Sequence, residues 1–258
     1  MTKIIFFGNG PLADYSKKVL ENHFEIVFHA KTKEDLEEVK RLKAENPSLH
    51  GVLASFGVMI KSDVLDIFEP EGILNIHPSL LPKYRGSSPI ESAILNGDKD
   101  FSYSIMKLVK AMDAGPIYHQ ETIKFGENPE KDEIYQTLST AAANWLVNNL
   151  ENLPAPTEQD NEKATFTAKF DKSMSNLTPE TKTASELLNE VRAFKGFPKS
   201  KHDFFGLNCI IQKAHIADTK ESELSLACAD QKYLIIDEIQ PAGRKTMDAK
   251  SFLNGYKK

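Results

Sequence analysis

Cysteine is scarce in this chain. Only Cys209 and Cys228 occur among 258 residues. Two thiols in no Cys-x-x-Cys spacing build neither a disulfide framework nor a zinc site. Long apolar runs are missing as well: none approaches the roughly 18–20 residues that a membrane span needs. The opening Met1-Thr-Lys-Ile-Ile-Phe-Phe-Gly8 is too short an apolar run for a signal peptide. A surplus of positive charge is also lacking, since 32 Lys and Arg face 37 Asp and Glu, a net charge of −5. General binding to DNA needs the opposite balance, because phosphates are neutralised by Lys and Arg. No internal repeat or low-complexity tract is present. Secreted, membrane-spanning, collagenous and mostly disordered classes are therefore excluded, and a reduced, cytoplasmic enzyme or binding protein is expected, with no membrane, DNA or metal partner.

The residues that are present have ordinary globular proportions, 40% hydrophobic and 27% charged. The length suits two domains better than one or three. Charge is unevenly spread. Residues 1–159 hold 16 basic and 23 acidic side chains, a net of −7, while residues 160–258 hold 16 and 14, a net of +2. A polyanionic partner is thus expected to touch the C-terminal part.

Strand and helix signals alternate through the first half. Apolar runs at 3–7, 25–28, 51–56 and 72–77 read as strands, and helical spacing follows each of the first three, with a further helix over Pro89 to Leu95 stopped by Asn96-Gly97. Thr32 with Asp35 resembles a capping box. This alternation predicts a parallel sheet with helices on both faces. Residues 101–109 and 117–125 read as two more strands flanking Asp113-Ala-Gly-Pro116, and a helix is expected from about Pro129 to Leu150. The stretch 153–162 is polar, holds two prolines and lacks periodicity, so it reads as a linker. Thr183-Ala-Ser-Glu186 fits a capping box that opens a helix with Leu187, Leu188, Val191 and Phe194 on one face. Strand signals follow at 207–216, 224–229 and 233–240. One helix and several short strands suit a small β-barrel of the OB type. The expected organisation is a catalytic domain over 1–153, a linker over 154–182 and an OB-like domain over 183–258.

Two segments could carry chemistry. Gly8-Asn-Gly-Pro-Leu-Ala13 matches G-x-G-x-x-A between a strand and a helix, the pattern of a dinucleotide turn. The second strand, however, ends in His29-Ala30-Lys31 and supplies no carboxylate for a ribose, so a tight strand-to-helix turn is the preferred reading. The richer segment is Leu74-Asn-Ile-His-Pro-Ser-Leu-Leu-Pro-Lys-Tyr-Arg-Gly86. Asn75 and His77 stand at i and i+2 in a strand, so their side chains leave the same face. They lie at the end of a parallel strand, where open α/β sheets bind ligands. An Asn amide can donate to a developing oxyanion, and a His can shuttle a proton near neutral pH.

This string resembles the folate-dependent formyltransferases, which carry Asn-x-His-Pro/Ala-Ser-Leu-Leu-Pro followed by a basic, aromatic, Arg-Gly segment. Asn96-Gly-Asp98 and Met112-Asp113-Ala-Gly-Pro-Ile117 continue the resemblance in order. It implies a Rossmann-like α/β formyltransferase domain using 10-formyltetrahydrofolate as co-substrate. Asn75, His77 and Asp113 are the implied catalytic set, and Ser79, Leu80, Leu81 and Pro82 the implied folate-binding wall. A carboxylate at Asp113 near His77 would fix its tautomer and favour its charged form.

The C-terminal segments resemble the branch of that family that acts on methionyl-tRNA. They are Ala164-Thr-Phe-Thr-Ala-Lys-Phe170, Val191-Arg-Ala-Phe194 with Phe197-Pro198, and Ile239-Gln-Pro-Ala-Gly-Arg-Lys-Thr-Met247 with Phe252-Leu-Asn-Gly255. The implied partner is methionyl initiator tRNA, gripped by the OB-like domain, with Lys195, Lys199, Lys201, Lys213, Arg244 and Lys245 as candidate contacts. One departure stands out. The family has a longer Gly- and Lys-rich segment after the second strand, whereas here Phe28-His-Ala-Lys31 passes straight into a helix. Two other readings remain open: a formyltransferase acting on nucleotide-linked amino sugars, and an idle folate- or RNA-binding protein.

Overall fold

The computed structural model describes residues 1–256, and these divide into two compact units, one formed by 1–90 and 99–168, the other by 91–98 and the described residues from 169 onward.

The first unit is built on six strands: β1 (Lys3–Phe7), β2 (Glu25–Ala30), β3 (His50–Leu53), β4 (Ile73–His77), β5 (Asp100–Lys107) and β6 (Ile117–Lys124), in the spatial order β2-β1-β3-β4-β5-β6. The pairings β2-β1, β1-β3 and β3-β4 are parallel. Strands β5 and β6 run antiparallel to their neighbours. The four strands of the alternating first half are thus parallel as expected, and the direction of the next two, which their sequence does not announce, is antiparallel. Helix α4 (Pro89–Leu95) lies between β4 and β5 in the chain, as in a parallel crossover, yet β5 returns against β4 and sets Ser104 opposite His77.

Four successive residues of β1, Ile4 to Phe7, are fully buried. A strand covered on both faces needs no alternation of polar and apolar residues. Ile5 and Phe7 share one core cluster with Leu36 and Val39 of α2 (Asp35–Glu45) and Val64 and Leu65 of α3 (Ser62–Leu65). The period of two sends Ile4 and Phe6 to the opposite face. Helix α5 (Lys131–Asn149) packs against α1 (Pro11–Leu20) and against β4 and β5.

The glycine turn after β1 is a packing device. A Cβ on Gly8 would lie 1.8 Å from the Ala54 carbonyl oxygen. His29 takes the place where a ribose-binding acid would stand, its Nε2 2.9 Å from the Gly8 carbonyl oxygen. The connection from β2 to α2 is short, and the Asp35 carboxylate accepts from the amides of Lys31 and Thr32.

In the second unit, α6 (Ala184–Ala193) opens with the capping box of Thr183 and Glu186. Strands β7 (Lys201–Phe204), β8 (Leu207–Ala217), β10 (Tyr233–Pro241) and β11 (Met247–Asp248) form an antiparallel, curled sheet in the order β11-β10-β8-β7, with β9 (Ser225–Ala227) also on β10. Its core joins Leu187, Leu188 and Val191 of α6 to Ile211, Leu234, Ile236 and Phe252, the last from α7 (Ala249–Tyr256). Strands β7 and β11 and helix α7 were not expected from the sequence.

Candidate active site

Strand β4 delivers Asn75 and His77 to one face at the C-terminal end of the parallel ladder, and both are buried, at 5% and 4% exposure. The next residues do not leave the site. Ser79 donates through Oγ to the Lys83 carbonyl at 2.6 Å, and the Ser79 carbonyl accepts from Ser104 Oγ at 2.6 Å. Ser104 Oγ also accepts from the Leu81 amide. Gln120 on β6 donates to both the Leu81 carbonyl and Ser104 Oγ. The antiparallel edge of the sheet therefore fixes the loop after β4. Among the four residues expected at the folate, Ser79 and Leu81 are buried, Pro82 is half-buried and Leu80 is exposed.

The loop then folds back on His77. The ring Nε2 lies 3.0 Å from the Tyr84 carbonyl oxygen. A carbonyl only accepts, so Nε2 carries the proton and the neutral ring keeps its lone pair on Nδ1. Tyr84 holds this carbonyl in place with φ +57, uncommon for a bulky residue. His77 Nδ1 faces Asp113 Oδ2 at 3.7 Å, beyond a hydrogen bond but within strong electrostatic range. The tautomer is thus set by a backbone carbonyl, where a carboxylate was expected to set it, and the carboxylate faces the nitrogen that titrates.

Burial holds His77 below the usual imidazole range. The Asp113 charge and the Tyr84 carbonyl oppose that shift, and the nearby Arg85 guanidinium adds to it. The ring is thereby kept neutral at physiological pH.

Asp113 sits in the turn between β5 and β6 at φ +48, a region that Asp tolerates better than most residues. Its Oδ2 accepts from the Gly86 amide at 2.7 Å. The Asn75/His77 strand end and the Asp113 turn, far apart in sequence, are brought together by this bond and by the approach of His77. No group of three or more His, Cys, Asp or Glu side chains suited to a metal ion occurs among the described residues, and no helix among them is long and apolar enough to cross a membrane.

Sequence reasoning passed over Arg85 and Gln159. Arg85 is buried at 4% exposure. Its Nε and Nη2 donate to Gln159 Oε1 at 3.1 and 2.6 Å, and Nη2 also donates to Asn161 Oδ1 at 2.8 Å. Gln159 lies in a segment that reads as polar linker, with nothing in its spacing to mark it. Arg85 belongs to the 74–86 motif, but its position there carries no signal of a role.

Residues 10–150 match the formyl transferase family, and residues 181–257 match the C-terminal domain of formyl transferases. The chain is 31% identical over 256 residues to the methionyl-tRNA formyltransferase of Methylococcus capsulatus, covering 93% of this chain and 82% of that one. Its fold is similar to that of HypX from Aquifex aeolicus in complex with tetrahydrofolic acid, with a TM-score of 0.74 at 15% identity; all of this chain is covered, but it spans only 48% of HypX. It is also similar to the N-formyltransferase from Helicobacter canadensis in complex with folinic acid and dTDP-3-aminofucose, with a TM-score of 0.67 at 18% identity over 93% of this chain and 100% of that one. At such identities the two structures speak for the fold alone. The likeness in sequence runs through nearly the whole chain, which belongs to the formyl transferase family as a formyl-group transferase of the methionyl-tRNA formyltransferase class.

Proposed function

We propose that this chain moves the formyl group of 10-formyltetrahydrofolate to the amino group of methionyl initiator tRNA, the step that prepares the initiator for translation. The observation that carries the reading is the convergence of Asn75, His77 and Asp113: two buried side chains on one strand face, with a carboxylate 3.7 Å from the titrating nitrogen of the ring. The folate supplies an activated formyl carbon. The acceptor amine must reach that carbon neutral and lose a proton as the new C–N bond forms. His77, neutral with its lone pair on Nδ1, accepts that proton. Asp113 stabilises the imidazolium so formed, and the proton is then available for the departing folate nitrogen. Asn75 donates through its amide to the oxyanion of the tetrahedral intermediate. Exposed Leu80 and half-buried Pro82 give an apolar wall beside this centre, a surface that fits the flat ring of a folate.

The choice of tRNA as acceptor is supported by the names of the relatives and by the C-terminal match. It also agrees with the +2 balance of residues 160–258. Lys199, Lys213, Arg244 and Lys245 are exposed there and are available to phosphates. A nucleotide-linked amino sugar is the alternative acceptor to test, since an enzyme of similar fold, the N-formyltransferase from Helicobacter canadensis, is in complex with dTDP-3-aminofucose.

The test is transfer from 10-formyltetrahydrofolate to charged initiator tRNA or to dTDP-3-aminofucose, with His77→Ala and Asn75→Ala beside the wild type. Turnover on tRNA alone is expected, with each variant slower by roughly 10²–10⁴-fold in kcat and unchanged in circular dichroism. Turnover on the sugar alone would replace the acceptor in this reading. A folded His77→Ala at wild-type kcat would remove the catalytic assignment.

A further inference from the structure

Beyond the three catalytic residues, we infer that Gln159 is a positioning residue for formyl transfer, a clamp that holds the Asp113 turn and the loop over His77 in one fixed arrangement. The inference rests on the catalytic reading of His77 and Asp113. The Gln159 amide is saturated. Its Nε2 donates to the carbonyl oxygens of Asp113 and Gly115 at 2.8 and 2.7 Å. Its Oε1 accepts twice from Arg85, at 3.1 and 2.6 Å. An amide has two donor hydrogens and two acceptor lone pairs, and all four are engaged. The orientation of the group is unambiguous, because the carbonyls can only accept and the guanidinium can only donate.

The two sides of the amide reach the two halves of the site. On one side is the turn that carries the Asp113 carboxylate. On the other is Arg85, the residue between Tyr84, whose carbonyl fixes the His77 tautomer, and Gly86, whose amide binds the carboxylate. The surrounding backbone is anchored to match. Arg85 and the segment after Gln159 exchange bonds as a short parallel bridge, Arg85 N to Thr165 O at 2.9 Å and Thr167 N to Arg85 O at 2.8 Å. Thr165 N donates to the Pro82 carbonyl, and Tyr84 N donates to Thr165 Oγ1. Before Gln159, Thr157 and Ile117 exchange two bonds of 2.8 Å at the start of β6. Gln159 is therefore held from both sides along the chain and joins two loops that no regular hydrogen-bond ladder connects.

Such a clamp fixes distance and angle between groups that must act together, and a displacement of about 1 Å in such geometry costs on the order of 10²-fold in rate. The charged groups acting on His77 are Asp113 and Arg85, and Gln159 touches both residues. Its loss should disturb the rate and also the pH at which His77 titrates. Removing the hold on the Asp113 turn weakens the influence that raises the ring's pKa, so the acid limb of the rate profile should move to lower pH.

The experiment compares Gln159→Leu, Gln159→Glu, Asp113→Asn and the double variant Gln159→Leu/Asp113→Asn in the full chain, with kcat, KM for 10-formyltetrahydrofolate and the pH profile of kcat as readouts. Gln159→Glu keeps the size of the side chain and an acceptor for Arg85 but cannot donate to the carbonyls of Asp113 and Gly115. It remains informative where Gln159→Leu fails to fold. The expected result is a loss of about 10²-fold in kcat for both Gln159 variants, KM within roughly twofold, and, for the uncharged Gln159→Leu, an acid limb displaced to lower pH. The double variant should be slower than Asp113→Asn by much less than the factor Gln159→Leu costs alone, because part of the Gln159 effect runs through the carboxylate. Wild-type kcat in folded Gln159→Glu would overturn the inference. So would a slow variant whose pH profile is unmoved and whose effect multiplies with that of Asp113→Asn, the mark of a merely structural role. If instead Asp113→Asn itself turns over at the wild-type rate, the catalytic reading fails at Asp113 and the clamp loses the group through which it acts.

Discussion

Replacing Gly115 with alanine tests whether the Asp113 turn is held to fixed geometry. Gly115 lies two residues after Asp113, in the turn that joins β5 to β6. A Cβ built there would lie 1.9 Å from the Lys107 carbonyl oxygen, where real Cβ atoms essentially never come within 3.0 Å. The clash is with backbone, so no side chain can rotate away. The turn must retreat from β5 by about 1 Å, the scale at which misplaced catalytic groups lose on the order of 10²-fold in rate. Retreat is resisted on two sides. Lys107 N donates to the Pro116 carbonyl at 2.9 Å, and the Gly115 carbonyl accepts from Gln159 at 2.7 Å. The expected outcome for Gly115→Ala is a kcat lower by about 10²-fold with a small change in KM for folate, since the candidate folate wall of Leu80 and Pro82 lies on another loop. Gly126→Ala serves as the matched control, because nothing lies within 4 Å of a Cβ at that position. Steady-state formyl transfer and thermal melting of both variants are the assays. Gly115→Ala within twofold of wild-type kcat, with normal melting, would refute the argument that turn geometry controls the rate.

Two further predictions concern charge. On the proposed reading the neutral form of His77 accepts the proton, and Asp113 raises the pKa of the ring against the larger effect of burial, so Asp113→Asn should shift the acid limb of kcat to lower pH while lowering the plateau by roughly 10²–10⁴-fold; a limb that moves to higher pH would mean that another group titrates. Lys199→Glu with Lys201→Glu should raise KM for charged tRNA, leave KM for folate unchanged and reduce the salt slope of tRNA affinity by up to about 0.9 for each phosphate no longer neutralised; kinetics at two salt concentrations provide the check, with Lys31→Ala and Lys33→Ala, on the short β2–α2 connection, expected to do little.

The parts of this protein that were legible in its sequence are those whose signal is local. Asn75 and His77 could be placed on one face because strands have a period of two and because Pro78 marks where the strand ends. The capping box at Thr183 was readable because its two partners are three residues apart, and the structure forms both of its bonds. Strand direction was not readable in this way. Helix α4 between β4 and β5 gives the local pattern of a parallel crossover, and only the register of His77 against Ser104 reveals the reversal. Strand β7, Lys-His-Asp-Phe, carries one apolar aromatic and lies at the end of its sheet, so neither composition nor alternation announces it. Helix α7 holds Gly255 and buries only Phe252, too little for a periodic stripe.

The same distinction divides the site. His77 could be assigned from its strand, but the atom that sets its tautomer is a carbonyl, and every residue type carries one; no pattern of side chains could have pointed to Tyr84. Asp113 was reachable only through a resemblance, because a carboxylate before Ala-Gly-Pro reads equally well as a turn residue. Gln159 lies at the far end of this scale. Its segment lacks periodicity because it pairs with Ile117 on one side and the Arg85 region on the other by isolated bridges rather than by a ladder. A stretch that is polar because it is solvated and a stretch that is polar because each group has a distant partner look alike in one dimension. The polar segment after α5 thus contains a fully engaged amide, and the energetic consequence of that engagement falls on the geometry of Asp113 and His77, residues that lie far from it along the chain.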